Sequence, residues 1–303
     1  MQWNDKMDVM SCRVENGILT YIAENNKVYI MGYEGAGLSL VIPETIDDTD
    51  VCVIGKKAFL GNRSLQHITL PGTIEWIGDW AFCNCVQLQR VEFPCRPIRL
   101  GKSLFAKDVR LYEITCSSDE KKKAFPGRLL AAAVTLLNAE YLLDMTQAGS
   151  AEWYGQFDNR LLAVLMEPAE NALKDLVYCA EEDMGAKQEA CLEEQARRKA
   201  SMALLRLAYP EGISEQSEEK LKAVLLDQEG IQTRAAWEAV KGANGREQIQ
   251  FLDVILKING IREENFTSVL EDLGNTHVEL KAHLLKAWEQ HKEQTRTWDK
   301  FTL

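Results

Sequence analysis

A step of 23 residues recurs through the N-terminal third of the chain and constrains its fold more than any other feature. Phe59, Phe82 and Phe105 are separated by this step. The same step links Leu65 with Leu88 and Leu111, Ile68 with Val91 and Ile114, and Pro71 with Pro94. Apolar residues that keep one register through three copies predict a solenoid, because a single short unit cannot bury its apolar edge alone.

Each unit is predicted to contain a short strand, a turn, a second short strand and a second turn. Alternation along the first strand directs Ile68 and Leu70 inward and leaves His67 and Thr69 outside. A glycine follows Ile54, Ile77 and Leu100 at the second turn, where a side chain would be crowded. The small residue and the phenylalanine that follow are predicted to fill the interior.

The motif Ile-Gly-x-x-Ala-Phe-x-x-Cys-x-x-Leu-x-x-Ile-x-x-Pro, which runs from Ile77 to Pro94, resembles the BspA-type (treponemal) leucine-rich repeat. The resemblance covers about residues 15–116, and residues 19–43 are similar to the hairpin that opens such arrays. It implies a curved solenoid with a parallel sheet, of a kind that generally binds other proteins and is often surface-exposed. The last unit departs from the pattern, with Leu104 in the alanine column and Asp108 in the cysteine column, as expected of a capping repeat.

After Pro126 the composition changes to one that favours helices, rich in Ala, Leu, Glu and Lys. Apolar residues from Leu192 to Leu207 recur at helical spacing, and Ser214 is predicted to cap the next helix. Further helices are predicted at about 217–227, 233–241, 245–257, 263–273 and 276–294. The segment from Leu273 to Leu285 resembles half of an ankyrin repeat; a generic helical array or bundle is the alternative.

The chain is therefore expected to be an α+β protein of two domains. Residues 1–118 form a leucine-rich-repeat β-solenoid with an N-terminal hairpin cap, and residues 119–303 form an all-α helical-repeat or bundle domain. The final rung of a solenoid this short needs a cover, which the helices or a second copy of the chain would supply.

Charge and cysteine usage restrict the class of function. The net charge is −11, which repels nucleic acid and anionic membranes. No apolar run approaches the length of a membrane helix, and the first residues lack the pattern of a secretory signal. The eight cysteines are accordingly predicted to be free thiols in the cytoplasm, mostly packed as small hydrophobic residues.

No cofactor, metal site or catalytic group is predicted. Gly101-Lys102-Ser103 imitates the end of a phosphate-binding loop, but Arg96 stands where that motif needs glycine. Cys83 and Cys85 offer two thiolates where zinc needs four ligands. His277, His283 and His291 lack the spacing of paired ligands and are predicted to be surface or rim residues.

The candidate binding residues are those that alternation directs outward. They are His67 and Thr69, Arg90 and Glu92, and Glu113 and Thr115, which stacking brings into adjacent columns. Trp76 and Trp80 are predicted to lie on one following turn, where they either anchor a partner or pack structurally.

These observations predict a non-enzymatic bacterial protein that acts as an interaction module or scaffold for a protein partner of unknown identity, with homo-oligomerisation possible. One alternative is a secreted or surface adhesin, which would lie outside the cell. The other is an enzyme with an unrecognised active site in the helical half; a deep pocket with converging titratable groups between residues 125 and 303 would favour it.

Overall fold

The strands of the N-terminal half follow one another with short turns. The computed structural model describes residues 8–108, 110–117, 125–168, 184–227, 230–231 and 233–299. In chain order the strands are β1 (Met10–Val14), β2 (Gly17–Glu24), β3 (Lys27–Gly35), β4 (Ser39–Val41), β5 (Thr45–Ile46), β6 (Thr49–Ile54), β7 (His67–Thr69), β8 (Trp76–Ile77), β9 (Arg90–Phe93), β10 (Arg99–Leu100) and β11 (Glu113–Cys116).

These strands form two sheets. The first has the order β1-β2-β3-β6-β8-β10 and is antiparallel from β1 to β3 and parallel beyond, with β5 paired antiparallel to β6. The second has the order β4-β7-β9-β11 and is parallel throughout. The predicted β-solenoid, opened by an antiparallel hairpin, is confirmed.

The strand register confirms the predicted step of 23 residues and adds one rung to it. Residues His67, Arg90 and Glu113 lie opposite one another on neighbouring strands of the second sheet. The added rung begins at Ser39, which pairs with His67 at a step of 28 residues. The extra length lies in the β5–β6 hairpin, whose turn residues Asp47 and Asp48 have positive φ angles, so a search at a fixed step does not find this rung.

The interior of the solenoid is a column of stacked rings. Phe59 stacks on Phe82 with ring centroids 5.3 Å apart, and Phe82 stacks on Phe105 at 5.5 Å. The glycine of each rung permits the neighbouring rung to approach closely. A Cβ on Gly78 would lie 2.6 Å from the backbone nitrogen of Lys56, which confirms that a side chain would be crowded at this turn.

Helices follow the last rung, beginning with α1 (Gly127–Thr135) and α2 (Ala151–Met166). Helix α1 packs against the edge strand β11, so helical residues cover this edge. Gly127 makes the contact possible, because a Cβ there would lie 2.6 Å from the carbonyl oxygen of Ile114. A short 3₁₀ helix, Glu140–Leu142, stands beside β10 and its Glu140 carboxylate accepts a hydrogen bond from the Ser103 amide at 2.9 Å.

The remaining described helices are α3 (Met184–Ala208), α4 (Glu215–Leu225), α5 (Thr233–Gly242), α6 (Gly245–Lys257), α7 (Glu263–Leu273) and α8 (Val278–Asp299). Short strands β12 (Leu226–Asp227) and β13 (Gly230–Ile231) separate α4 from α5. Among the described residues the predicted helical character and helix positions of this half are confirmed, apart from the two-residue strands, and Ser214 caps α4 by accepting a hydrogen bond from the Ser217 amide. The ankyrin likeness stays a prediction.

The chain divides into two compact units, residues 1–160 and 161–303. We call them the repeat unit and the helical unit. The first helices after the repeats, α1 and the beginning of α2, belong to the repeat unit. The domain boundary predicted between residues 118 and 119 lies outside the described residues and stays a prediction.

The prediction that all eight cysteines are free thiols is wrong for Cys95 and Cys116, which form a disulfide with Cα atoms 5.4 Å apart. Strands β9 and β11 are parallel neighbours with Phe93 opposite Cys116, which brings Cys95 beside it. Among the described residues, the cysteines at positions 12, 52, 83 and 85 are free, and Cys52 and Cys85 are buried as predicted. Cys179 lies outside the described residues.

Candidate protein-binding surfaces

The outward side chains of β7, β9 and β11 form one regular array, which we call the strand face. It consists of His67, Arg90 and Glu113 in one row and Thr69, Glu92 and Thr115 in a second. All six are at least partly exposed, whereas the intervening Ile68, Val91 and Ile114 are at most 1% exposed. The structure therefore brings five of the seven candidate residues, together with Thr115, onto one surface.

The added rung extends the strand face by one strand. Ser39 continues the first row, with its hydroxyl oxygen 3.4 Å from Nδ1 of His67. Val41 continues the second row opposite Thr69, and 66% of its surface is exposed. Sequence reasoning missed both residues because β4 is displaced from the 23-residue step.

Charges on the strand face are partly paired within it. The guanidinium of Arg90 forms an ion pair with Glu113 on the next strand, with Nη2 and Oε2 2.6 Å apart. The two side chains remain 55% and 29% exposed. The face therefore presents hydroxyl, imidazole, guanidinium and carboxylate groups in fixed order across parallel strands.

Trp76 lies in strand β8 of the other sheet, so the prediction that it shares a turn with Trp80 is wrong. Its ring is half-buried in an apolar cluster that includes Ile22, Tyr29 and Val53. Strand β8 contributes two residues to its rung, and the tryptophan is the first of them, directly opposite Val53. The ring therefore packs on the outer side of the first sheet, apart from the strand face.

Trp80 lies on the turn after β8 and is 37% exposed. Its backbone has a φ angle of 55°, as Lys57 and Ser103 have angles of 63° and 55° in the same column of the repeat. The ammonium groups of Lys56 and Lys57 lie 4.9 and 5.4 Å from the centroid of the indole ring. These distances are those of cation–π interactions.

A buried carboxyl group occupies the last rung. Asp108 is 2% exposed, and its Oδ1 accepts a hydrogen bond from the amide of Cys85 at 2.6 Å. Burial raises the pKa of Asp108 to about 8, and it raises the pKa of the neighbouring Cys85 thiol to about 12. The departure of Asp108 from the cysteine column was the sequence signal for this group, but the sequence did not reveal how deeply the carboxyl is buried.

In the helical unit a groove of about 450 Å³ lies between α3 and α5. It is lined by Ala190, Glu193, Glu194, Ala196, Arg197, Ala235 and Glu238. Arg197 pairs with Glu194 one turn away, at 2.6 Å. Among the described residues, no group of three or more His, Cys, Asp or Glu side chains is arranged to hold a metal ion.

The histidines of the helical unit lie at hydrogen-bonding distance from neighbouring helices. Nε2 of His283 is 2.7 Å from Oδ1 of Asp253, and Nδ1 of His277 is 3.4 Å from the amide nitrogen of Gln248. The side chain of His291 lies outside what the structure describes. None of the helices described is both long and apolar enough to cross a membrane.

Comparison with known families identifies the repeats. Residues 39–128 match the family model "BspA type Leucine rich repeat region", in six copies. The resemblance drawn from the sequence motif is thereby confirmed for this part of the chain. Repeats of this family point to a protein-interaction or surface type of repeat protein. A search of the curated proteins gives no match.

Solved leucine-rich repeat structures are similar to about a third of the chain. A T. pallidum leucine rich repeat protein is 32% identical over 32% of this chain and 46% of its own, with a TM-score of 0.31. A Bacteroides ovatus leucine-rich repeat protein is 28% identical over 34% of this chain and 28% of its own, with a TM-score of 0.30. A leucine rich cell surface protein from Faecalibacterium prausnitzii is 17% identical over 35% and 42%, with a TM-score of 0.26. The chain spans less than half the length of each of these three.

Proposed function

We propose that this chain is a non-enzymatic interaction protein whose repeat unit binds another protein through the strand face. One observation carries the proposal: six outward side chains stand in register on three parallel strands, and the apolar residues that alternate with them are buried in the core. Stacked repeats build extended surfaces of this kind, which suit protein partners.

The chemistry of the strand face supports a protein partner over a polyanion. The face carries Arg90 and His67, but also Glu92 and Glu113, on a chain of net charge −11. A nucleic acid or an anionic membrane would be repelled by this balance. The fixed order of charges on the strand face would instead orient a protein partner whose surface carries complementary charges.

The edge of the strand face offers an apolar contact beside the polar rows. Val41 is 66% exposed, and Leu38 next to the same strand is 57% exposed. An apolar contact bordered by polar groups is the usual composition of a protein interface, in which the apolar part supplies affinity and the polar part supplies specificity. The proposed docking surface therefore runs from β4 to β11.

Site-specific photo-crosslinking tests the proposal. A photoreactive amino acid at Thr69, in the centre of the strand face, is expected to crosslink a discrete partner protein in extracts of the source cell. The same amino acid at Lys286, exposed on α8, is the matched control. Crosslinking from both positions alike, or from neither, would overturn the strand face as the binding surface. A crosslink to a second copy of the chain would identify the partner as self.

The disulfide favours a location outside the cytoplasm for the same binding function. Disulfides persist in oxidising compartments and are rare in the cytosol. The Cys95–Cys116 disulfide thus supports the surface or secreted alternative over a cytoplasmic scaffold. A count of free thiols before and after reduction separates the two locations.

A further inference from the structure

A second exposed surface lies on the turns that follow the repeat glycines, and we call it the turn ridge. It consists of Lys56, Lys57, Asp79, Trp80, Lys102 and Ser103, two residues from each of three successive rungs. Backbone hydrogen bonds hold these turns in register: the Lys57 amide donates to the Asp79 carbonyl, and the Trp80 amide donates to the Lys102 carbonyl, each at 3.0 Å. The spacing of the side chains on the ridge is therefore fixed by the fold.

The ridge is rich in unpaired positive charge. Lys56, Lys57 and Lys102 are exposed, and across the part of the chain that the structure describes no acidic side chain forms an ion pair with them. Two carboxylates beside these turns hydrogen-bond to backbone amides and form no ion pair with the three lysines. Asp79 accepts a hydrogen bond from the Lys102 amide, and Glu140 accepts one from the Ser103 amide, both at 2.9 Å. The ammonium groups are thus left to meet a ligand.

Folding does not account for the tryptophan on this ridge. The same turn is built with Lys57 in the preceding rung and Ser103 in the following one. A positive φ angle is unfavourable for a bulky residue, and asparagine or glycine would adopt it at lower cost. Trp80 also leaves 37% of its surface in water. Backbone strain and an exposed aromatic ring together are typical of binding sites.

We propose that the turn ridge binds a short acidic segment of a partner protein. A carboxylate of that segment lies between the ammonium groups of Lys56 and Lys57, and an adjacent apolar side chain covers the indole ring of Trp80. Cation–π contacts already hold both ammonium groups beside the ring, so little order is lost on binding.

The charge of the whole chain argues for a short segment over a long polyanion. A nucleic acid or a sulfated polysaccharide would extend beyond the ridge and meet the field of a chain with net charge −11. A short peptide interacts mainly with charges within a Debye length, about 10 Å at moderate salt. The turn ridge shares no residue with the strand face, so peptide binding by the ridge is a function beyond the one proposed for the strand face.

Peptide selection on the full chain tests the inference. A random dodecapeptide phage library is selected on the wild-type protein, and the recovered peptides are synthesised and titrated by fluorescence anisotropy. We expect enrichment of Asp and Glu beside large apolar residues. The affinity is expected to fall at least tenfold in Lys56→Glu/Lys57→Glu and in Trp80→Asn, and to weaken as salt is raised.

Two controls keep the result specific. Lys220→Glu/Lys286→Glu makes the same change of charge at exposed positions of the helical unit and is expected to retain binding. Trp80→Asn is expected to melt no lower than the wild type, since asparagine tolerates the turn conformation. Peptides without acidic enrichment, equal loss in the helical-unit control, or tighter ridge-dependent binding of a heparin oligosaccharide or single-stranded oligonucleotide would overturn the proposal. Arg90→Glu changes the strand face and leaves the turn ridge intact. Its effect on partner crosslinking therefore tests the proposed function separately from peptide binding by the ridge.

Discussion

The ring of Phe82 lies parallel to that of Phe105, with the planes inclined by 9° and the centroids 5.5 Å apart. Phe82 has no solvent exposure, and Phe59 covers its other side. One residue type repeated at a fixed step thus becomes a continuous column of rings, and its central member, Phe82, is packed by the rungs on both sides. The stability of the solenoid depends on this column at its centre.

Phe82→Ala is expected to lower the free energy of unfolding by about 3–5 kcal/mol, because it removes a fully buried ring and leaves a cavity that neighbouring rungs cannot fill. Urea denaturation followed by circular dichroism measures the change. Leu60→Ala, at a position 46% exposed, is the control and should change stability by less than about 0.5 kcal/mol. Equal effects of the two substitutions would contradict the ring column.

The periodic part of the fold was predictable because it depends on local patterns that recur. Strand alternation, the crowded glycines and the phenylalanine column all follow from residues that are close in sequence. The rung at Ser39 was not predictable from the fixed step, because the β5–β6 hairpin interrupts it. The disulfide was missed for a different reason. The expectation of a cytoplasmic location was applied to all eight cysteines alike, whereas the stacking of the repeats places Cys95 beside Cys116.

Asp108 is expected to make stability depend on pH. Its pKa is about 8 in the folded protein and about 3.9 in an unfolded chain, so between these values the folded state holds a proton that the unfolded state releases. Stability should therefore fall as pH rises from about 4 to about 8, by at most about 1.4 kcal/mol per pH unit from this group. Asp108→Asn should reduce that slope.

Urea denaturation of both proteins at several pH values across this window measures the slope. Asp50→Asn, at an exposed position, is the matched control and should leave the pH dependence unchanged. A pH profile of Asp108→Asn that parallels the wild type would show that the buried carboxyl does not carry the effect.

The Cys95–Cys116 disulfide should be detectable by thiol titration. Protein isolated from its source without reductant, then denatured, is expected to titrate at least two thiols fewer than protein reduced beforehand, because the described residues include one disulfide. Cys95→Ser/Cys116→Ser should lose about 3 kcal/mol of stability, since the bond closes a loop of about 20 residues in the unfolded chain. Cys12→Ser is the control for loss of a free thiol. Equal thiol counts before and after reduction would favour the cytoplasmic location.

The strand face was predictable in outline, whereas only Trp80 of the turn ridge was a candidate from the sequence. Alternation alone directs His67, Arg90 and Glu113 outward, and the repeat step brings them together. Trp76 and Trp80 are separated because the second strand of the rung ends at Ile77. The end of a strand of only two residues cannot be recognised from the sequence pattern. The lysine contacts of Trp80 join two rungs and become visible only when the rungs are stacked.

Substitutions in the Arg90–Glu113 ion pair distinguish a role in partner recognition from a role in stability. Both side chains are substantially exposed, and exposed pairs contribute only about 0.2–1 kcal/mol. Arg90→Glu should therefore lower the melting temperature slightly, while it abolishes crosslinking of the partner from Thr69, because the charge at the centre of the strand face is reversed.

The charge-swapped variant Arg90→Glu/Glu113→Arg restores an ion pair between the same strands. It should recover the melting temperature of the wild type and still fail to crosslink. Recovery of both properties would mean that the pair only supports the sheet; a sharp loss of stability in Arg90→Glu alone would mean that the face is structural and that the partner binds elsewhere.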